Sequence, residues 1–301
     1  MIRLQNGYQF DFVAASGALG YDGRGWLWDW PFRWAGLLDP SRFAVITKTL
    51  TLRPRRGNLS WWHPWTCTRL IQGGMVNAVG LKNFGLKEWF RKYYKTAVAA
   101  PWRVILSVMP ENLDEANEML MVSRELLDFD AVIAAWELNL SCPNVEHDSD
   151  VGHACELVRF FAHNSRVPVI VKLAWQDPYL DICRELDGTV AAFDLINTVP
   201  WSLCFPNRSS PLAKHGFDGG VSGLPIAWRS RDALESVKCA GVRTPIISGG
   251  GVYSLDEVRQ RFDLGAAAVS FGTAFLWPWL PNKIVHQWRV ENALHRNPAA
   301  I

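Results

Sequence analysis

Long hydrophobic runs, paired cysteines and an excess of either charge are all missing from this chain of 301 residues. No apolar run approaches the roughly 20 residues needed to cross a bilayer. The stretch Met1 to Gly7 has no signal-peptide core. A membrane span is therefore not expected, and the expected location is the cytoplasm. The net charge of +2 makes no electrostatic case for nucleic acid. Six cysteines stand at 67, 142, 155, 183, 204 and 239, with no CxxC among them. Their spacing suits neither zinc nor an iron–sulfur cluster, so no metal site is expected and the thiols read as reduced. What is present is an ordinary soluble composition, 49% hydrophobic and 20% charged. It is enough for one large α/β barrel or two mid-sized domains. Tryptophan, with 16 residues, is the one excess.

Eight apolar runs punctuate the chain: Phe10–Gly17, Phe43–Thr49, Trp102–Val108, Ala131–Asn139, Val167–Leu173, Val190–Thr198, Thr244–Gly251 and Ala266–Thr273. None alternates strictly, which is the pattern of parallel strands covered on both faces. Helices are expected over 85–98, 111–127, 152–164, 178–187, 225–239 and 254–264. The second is given the apolar face Leu113, Ala116, Leu120, Val122 and Leu126. The last is given Ser254 as N-cap, with Glu257 closing a capping box. Residues 18–40 read as loop with one helix, 51–76 as a hairpin excursion, and the stretch after strand six as a long loop. A Trp/Pro-rich link, Trp277 to Pro281, leads into a C-terminal helix. The count is that of a (β/α)8 TIM barrel in one domain, 1–301, with a hairpin excursion after strand two. A doubly wound sheet would concentrate its polar and glycine motifs at one switch point. Here they end nearly every strand.

The stretch Glu137-Leu138-Asn139-Leu140-Ser141-Cys142-Pro143-Asn144 is the focus. A buried strand turns polar within a few residues. Each polar group left unpaired there would cost roughly 1–3 kcal/mol. A Cys among amides suggests a proton-transfer group over a flat polar ligand, against the bland reading of an inert buried thiol. Barrel sites form at the C-terminal strand ends. That rule gathers Ala15, Ser16, Gly17, Lys48, Thr49, Asn139, Cys142, Asn144, Lys172, Asn197, Thr198, Ser222, Gly223, Gly250, Gly251, Gly272 and Thr273 on one rim. The late Gly groups with Ser or Thr suit a phosphate held by backbone N–H groups, although each alone is also turn chemistry. Lys172 and Lys48 end apolar strands, where a cation either snorkels to solvent or stabilises an anion formed on an electron-accepting ring. Two such lysines and a phosphate cradle point to flavin mononucleotide (FMN). Asn77, Asn139, Asn144 and Asn197 suit a planar, imide-rich substrate whose edge alternates donor and acceptor.

The motifs Ala15-Ser16-Gly17, Thr47-Lys48-Thr49, Gly57-Asn58, Gly73 to Leu81, Asn139 to Asn144, Val171-Lys172, Ile196-Asn197-Thr198, Gly219 to Gly223 and Gly249 to Gly251 resemble class 1 dihydroorotate dehydrogenase. The resemblance runs from about residue 8 to 276, and Cys142 with the Gly73 to Leu81 run leans to subclass 1B. It implies an FMN-bearing barrel that oxidises dihydroorotate to orotate. Cys142 would be the base that removes the C5 proton, and Lys48 would touch flavin and substrate. Asn77, Asn139, Asn144, Asn197 and Thr198 would bind substrate. Lys172 would meet the flavin's pyrimidine edge. Ala15, Ser16, Gly17, Thr49, Ser222, Gly223, Gly250, Gly251, Gly272 and Thr273 would contact FMN. A homodimer is expected. The 1B pattern further implies a separate subunit with FAD and an iron–sulfur cluster; a soluble acceptor such as fumarate would need none.

Residues 26–34 and Trp61-Trp62-His63-Pro64-Trp65 depart from that family's pattern, as do Lys82 and the Leu173 to Gln176 strand exit. The tryptophans read as packing, with an exposed patch for a partner or for self-association as the functional alternative. His147 and His153 read as solvated loop residues, and Cys155 as packing inside a helix. Two other functions share the motifs: a flavin enzyme acting on another dihydropyrimidine, and a barrel that binds FMN without turnover. Asn144 favours dihydroorotate, because pyrimidine-degrading relatives carry His there.

Overall fold

The computed structural model describes residues 1–126, 128–140 and 151–296, with side chains through 293 in the last helix. The eight apolar runs form barrel strands one to eight: Phe12–Ala14, Ala44–Ile46, Val104–Val108, Ile133–Asn139, Val169–Leu173, Ala192–Leu195, Ile246–Gly249 and Ala268–Phe271. All pair in parallel with their sequence neighbours, and strand eight closes onto strand one. Every residue of these strands is buried, as a sheet covered on both faces requires.

The pleat sorts the barrel interior into two levels. Low in the barrel, Val13, Ala44, Ile46, Ile105, Ala135, Ile170, Ala192, Ile247 and Ala268 form one apolar cluster. Two residues further along the same strands, on the same face, the chain places Ser107, Glu137, Lys172, Asp194 and Ser270. The bottom is plugged by a hairpin, Ile2–Arg3 with Gln9–Phe10, whose Ile2, Leu4 and Phe10 complete the apolar cluster.

The top carries a second sheet. The expected hairpin is there, Thr68–Ile71 with Gly74–Asn77. The expected long loop after strand six is not a plain loop, however. Its Val199–Pro200 and Gly220–Gly223 add two strands to that hairpin, in the order Val199–Pro200, Gly220–Gly223, Gly74–Asn77, Thr68–Ile71. Gly74 permits the join, because a Cβ on it would sit 2.0 Å from the Ser222 carbonyl oxygen. Glycine and serine runs carry too little β propensity to announce this strand.

Long helices follow at Leu86–Val98, Leu113–Arg124, Val151–Asn164, Ala227–Cys239, Leu255–Asp263 and Trp279–Arg296, and a shorter one at Tyr179–Glu185. Three details differ from expectation. The helix Leu113–Arg124 buries Ala116, Met119, Leu120 and Ser123, a true i, i+3, i+4, i+7 stripe that leaves Val122 at its margin. Ser254 caps its helix by accepting from the Glu257 N–H at 3.2 Å. The Glu257 carboxylate does not return the bond, because Arg231 at 2.6 Å and Arg261 at 3.5 Å hold it. The last helix starts at Trp279, with Pro281 inside its first turn, where a missing N–H has no bond to lose.

Candidate active site

At the C-terminal ends of strands one to six, side chains join in one hydrogen-bonded system. Ser16 donates to the Thr47 carbonyl at 2.9 Å and lies 2.9 Å from Thr49 Oγ1. Thr49 Oγ1 lies 2.9 Å from Ser107 Oγ, and Ser107 Oγ 2.7 Å from Glu137 Oε1. Asn139 Nδ2 donates to Thr49 at 3.2 Å, and Asn197 Nδ2 to Asn139 Oδ1 at 3.3 Å. Asn197 Oδ1 accepts from the Thr198 N–H at 2.8 Å.

Ser107 Oγ donates to Glu137 Oε1, and the Glu137 carboxyl is wholly buried. Full burial pushes its pKa up to about 8, with Asp194 adding to the rise and Lys172 and Ser107 opposing it. Lys172 pairs with Asp194 at 3.5 Å, both side chains buried. Burial alone would push the lysine pKa down, but Glu137 and Asp194 outweigh it and hold it above the usual value. The Lys172 cation, the Asp194 anion and the neutral Glu137 thus sum to zero charge. Snorkelling to solvent, the bland alternative for Lys172, is excluded by its 7% exposure.

Lys48 lines a cavity of about 480 Å³ together with Tyr21, Trp26, Trp30, Leu59 and Trp61. The tryptophans around it correct the packing expectation. Trp28, Trp30, Trp34, Trp61, Trp62 and Trp65 are all exposed, Trp62 by 85%. Trp26 alone of this group packs inward, donating to the Gly17 carbonyl at 3.0 Å. Lys82 donates to the Leu59 carbonyl at 2.6 Å and so ties this rim together.

The opposite side of the rim is built from glycine. Gly250 and Gly251 follow strand seven with φ of 102° and 81°. A Cβ on Gly251 would stand 2.5 Å from Ala227 Cβ, so the turn lies against the first residue of the helix Ala227–Cys239. Gly272 neighbours Ala15, and Thr273 opens a short 3-10 turn. Ser222 and Gly223 lie on a strand of the upper sheet, and the Ser222 hydroxyl is committed to the Met75 carbonyl at 3.2 Å. Asn77 sits on the neighbouring strand, its Nδ2 donating to the Gly220 carbonyl at 3.5 Å. Beneath the Gly250 turn lies Arg261, wholly buried. It donates to Ser230 Oγ at 2.8 Å, Ser248 Oγ at 2.9 Å and the Gly250 carbonyl at 2.6 Å. Burial pushes its pKa down to about 10 despite Glu257.

Cys142, Asn144 and His147 fall outside the described residues. His153 is exposed on its helix, and Cys155 is buried among apolar side chains. The sequence reading missed Ser107, Glu137, Asp194 and Arg261. The first three carried a usable signal, a polar residue inside an apolar strand. Arg261 carried none, since an arginine in the charged helix after strand seven reads as surface.

With this geometry in hand, the comparisons with known proteins are specific. The family model described as dihydroorotate dehydrogenase matches residues 33–289. A relative in Geobacter sulfurreducens, named dihydroorotate dehydrogenase B (NAD(+)), catalytic subunit, is 32% identical over 80% of this chain and 78% of its own. A protein of the same name in Geobacter sp. is 31% identical over 94% of this chain and 89% of its own. The crystal structure of the Eimeria tenella dihydroorotate dehydrogenase with ferulenol superposes with a TM-score of 0.71 at 17% identity. That match covers 96% of this chain and 82% of the other, and it speaks for the fold.

Proposed function

The chain belongs to the dihydroorotate dehydrogenase family, and from that premise we propose that it oxidises dihydroorotate to orotate in pyrimidine biosynthesis, with FMN as its cofactor. One observation carries the reading: the linked set Ser16, Thr49, Asn139 and Asn197 surrounds a strand exit next to the buried Lys172. Amides and hydroxyls that lock one another in place offer the fixed donor–acceptor pattern that a flat imide-bearing ring requires.

FMN suits the residues present. Gly251 lacks the Cβ that would collide with Ala227, so the Gly250–Gly251 turn sits at the start of the helix Ala227–Cys239, where backbone N–H groups suit a phosphate. Gly223, Gly272 and Thr273 line the same side, with Ser222 serving from the upper sheet through its backbone. Ala15, Ser16, Gly17 and Thr49 would also contact the cofactor, and Lys172 would meet its pyrimidine edge. When bound, the flavin supplies the hydride acceptor. Asn77, Asn139, Asn144, Asn197 and Thr198 orient the dihydropyrimidine ring, and Lys48 reaches the substrate from the cavity side. Cys142 removes the C5 proton, a task within reach of a thiol whose ordinary pKa is about 8.5. The relatives named above are catalytic subunits. A separate electron-transfer subunit carrying FAD and an iron–sulfur cluster is therefore part of the proposal.

The test is anaerobic mixing of the FMN-loaded protein with dihydroorotate and, separately, with dihydrouracil. Bleaching of the flavin by dihydroorotate alone is expected. Bleaching by dihydrouracil, or by neither, overturns the reading. Cys142→Ala should slow the bleaching by at least about 10²-fold, the scale of a lost general base. An unchanged rate removes Cys142 from that role.

A further inference from the structure

Arg261 does not belong to any motif, yet it is the most deeply buried arginine among the described residues and lies under the turn that would face a phosphate. Burying a guanidinium is expensive unless its charge is used or neutralised. Neutralisation is incomplete here. Among the described residues Glu257 is its one acidic neighbour, and that carboxylate is closer to Arg231, at 2.6 Å against 3.5 Å. Two guanidiniums share one carboxylate, which leaves the cluster one positive charge in excess.

The contact geometry shows where that charge acts. Arg261 grips the Gly250 carbonyl and both serines that flank the turn, and Ser230 in turn donates to the Gly249 carbonyl. In a trans peptide the C=O and the following N–H point in opposite directions. Pinning the Gly250 carbonyl toward Arg261 therefore turns the Gly251 N–H away from it. Among the described residues no backbone acceptor meets that N–H, so it is available to a ligand.

We propose that Arg261 is a positioning residue for the phosphate of the bound mononucleotide: it orients the Gly250–Gly251 peptide so that the Gly251 N–H donates outward, and its uncancelled charge makes that donor favour a dianion. The inference rests on the FMN reading and adds to it a residue that selects the phosphorylated cofactor over the bare flavin.

The experiment strips the flavin and titrates the apoprotein with FMN and with riboflavin, which differ only in the phosphate. The wild-type protein should bind FMN more tightly. In Arg261→Met, FMN affinity should fall about tenfold or more, the scale of one hydrogen bond involving a charge, while riboflavin affinity stays unchanged. Arg261→Lys, which keeps the charge and a donor, should keep most of the preference. Equal losses for both flavins in Arg261→Met would reduce Arg261 to a structural brace. Loss of the preference in the Lys variant, or its survival in the Met variant, would also overturn the proposal. A wild-type protein that binds both flavins alike would instead defeat the FMN reading itself.

Discussion

Two buried cations stand on opposite sides of this site, and they are balanced differently. Lys172 has two carboxyls around it, Asp194 at 3.5 Å and Glu137 close enough to raise its pKa. Arg261 shares a single carboxylate with a second arginine. The lysine cluster has therefore reached neutrality by keeping a proton on Glu137, whereas the arginine cluster keeps its excess charge. The difference follows from position. Lys172, Asp194 and Glu137 point into the closed interior of the barrel, where uncompensated charge costs most. Arg261 lies between the barrel and its outer helices, one peptide away from a turn that faces the open rim.

The sharpest way to break the comparison is to remove each cation. Lys172→Met strands Asp194 in the barrel interior, and breaking a buried pair in this way costs about 3–5 kcal/mol. Arg261→Met leaves the Gly250 carbonyl without its donor, for about 1–3 kcal/mol, while Ser230 keeps its bond to the Gly249 carbonyl. Denaturant midpoints of the two apoproteins should rank in that order. Adding Asp194→Asn to Lys172→Met should recover part of the loss, since no bare anion is then left behind. Equal losses for the two single variants would mean that the clusters are not differently balanced.

The next test uses pH. Glu137 has its pKa raised from 4.5 to about 8 in the folded chain. Its contribution to stability is thus fully present below the unfolded value and is lost as pH rises through about 8. Melting temperature should fall across that interval, and Glu137→Gln should flatten the fall while keeping an oxygen that accepts from Ser107. The Arg261 pKa is lowered only to about 10, so this arginine does not titrate in the same interval. Arg261→Met should leave the slope as it was. A wild-type slope that Glu137→Gln does not alter would place the shared proton elsewhere.

The same comparison shows what the sequence could disclose. All eight barrel strands were legible, because unbroken apolar runs such as Val104–Val108 have few other uses. Lys172, Asn139, Thr49 and Asn197 were legible because each interrupts such a run at its end. The zero-charge arrangement was not, since it depends on Glu137 and Asp194 lying in register with different residues of one neighbouring strand, Ile170 and Lys172. Arg261 was hidden for a different reason. Its helix carries Asp256, Glu257, Arg259 and Asp263 as well, and nothing local separates the one buried charge from the solvated ones. The upper sheet was hidden in part because Gly220–Gly223 becomes a strand only by pairing with residues far back in the chain. The tryptophans misled for a related reason: large apolar side chains suggest burial, yet Trp34 and Trp62 extend into solvent.

The finest adjustment leaves both cations in place and alters only the shared carboxylate. Glu257→Gln removes the charge that Arg231 and Arg261 divide between them. Its side chain is 17% exposed and one oxygen makes no hydrogen bond, so stability should change by no more than about 1 kcal/mol. The cluster's excess charge rises by one, on the far side of Gly250 from the proposed phosphate. FMN should then gain on riboflavin by roughly twofold to threefold, the scale of one charge acting near a helix start, and added salt should shrink the gain. No such adjustment exists at Lys172, where removing a carboxyl releases the shared proton rather than adding charge. A Glu257→Gln protein with an unchanged preference would mean that the arginine cluster's charge does not reach the turn, and that only the pinned carbonyl matters there.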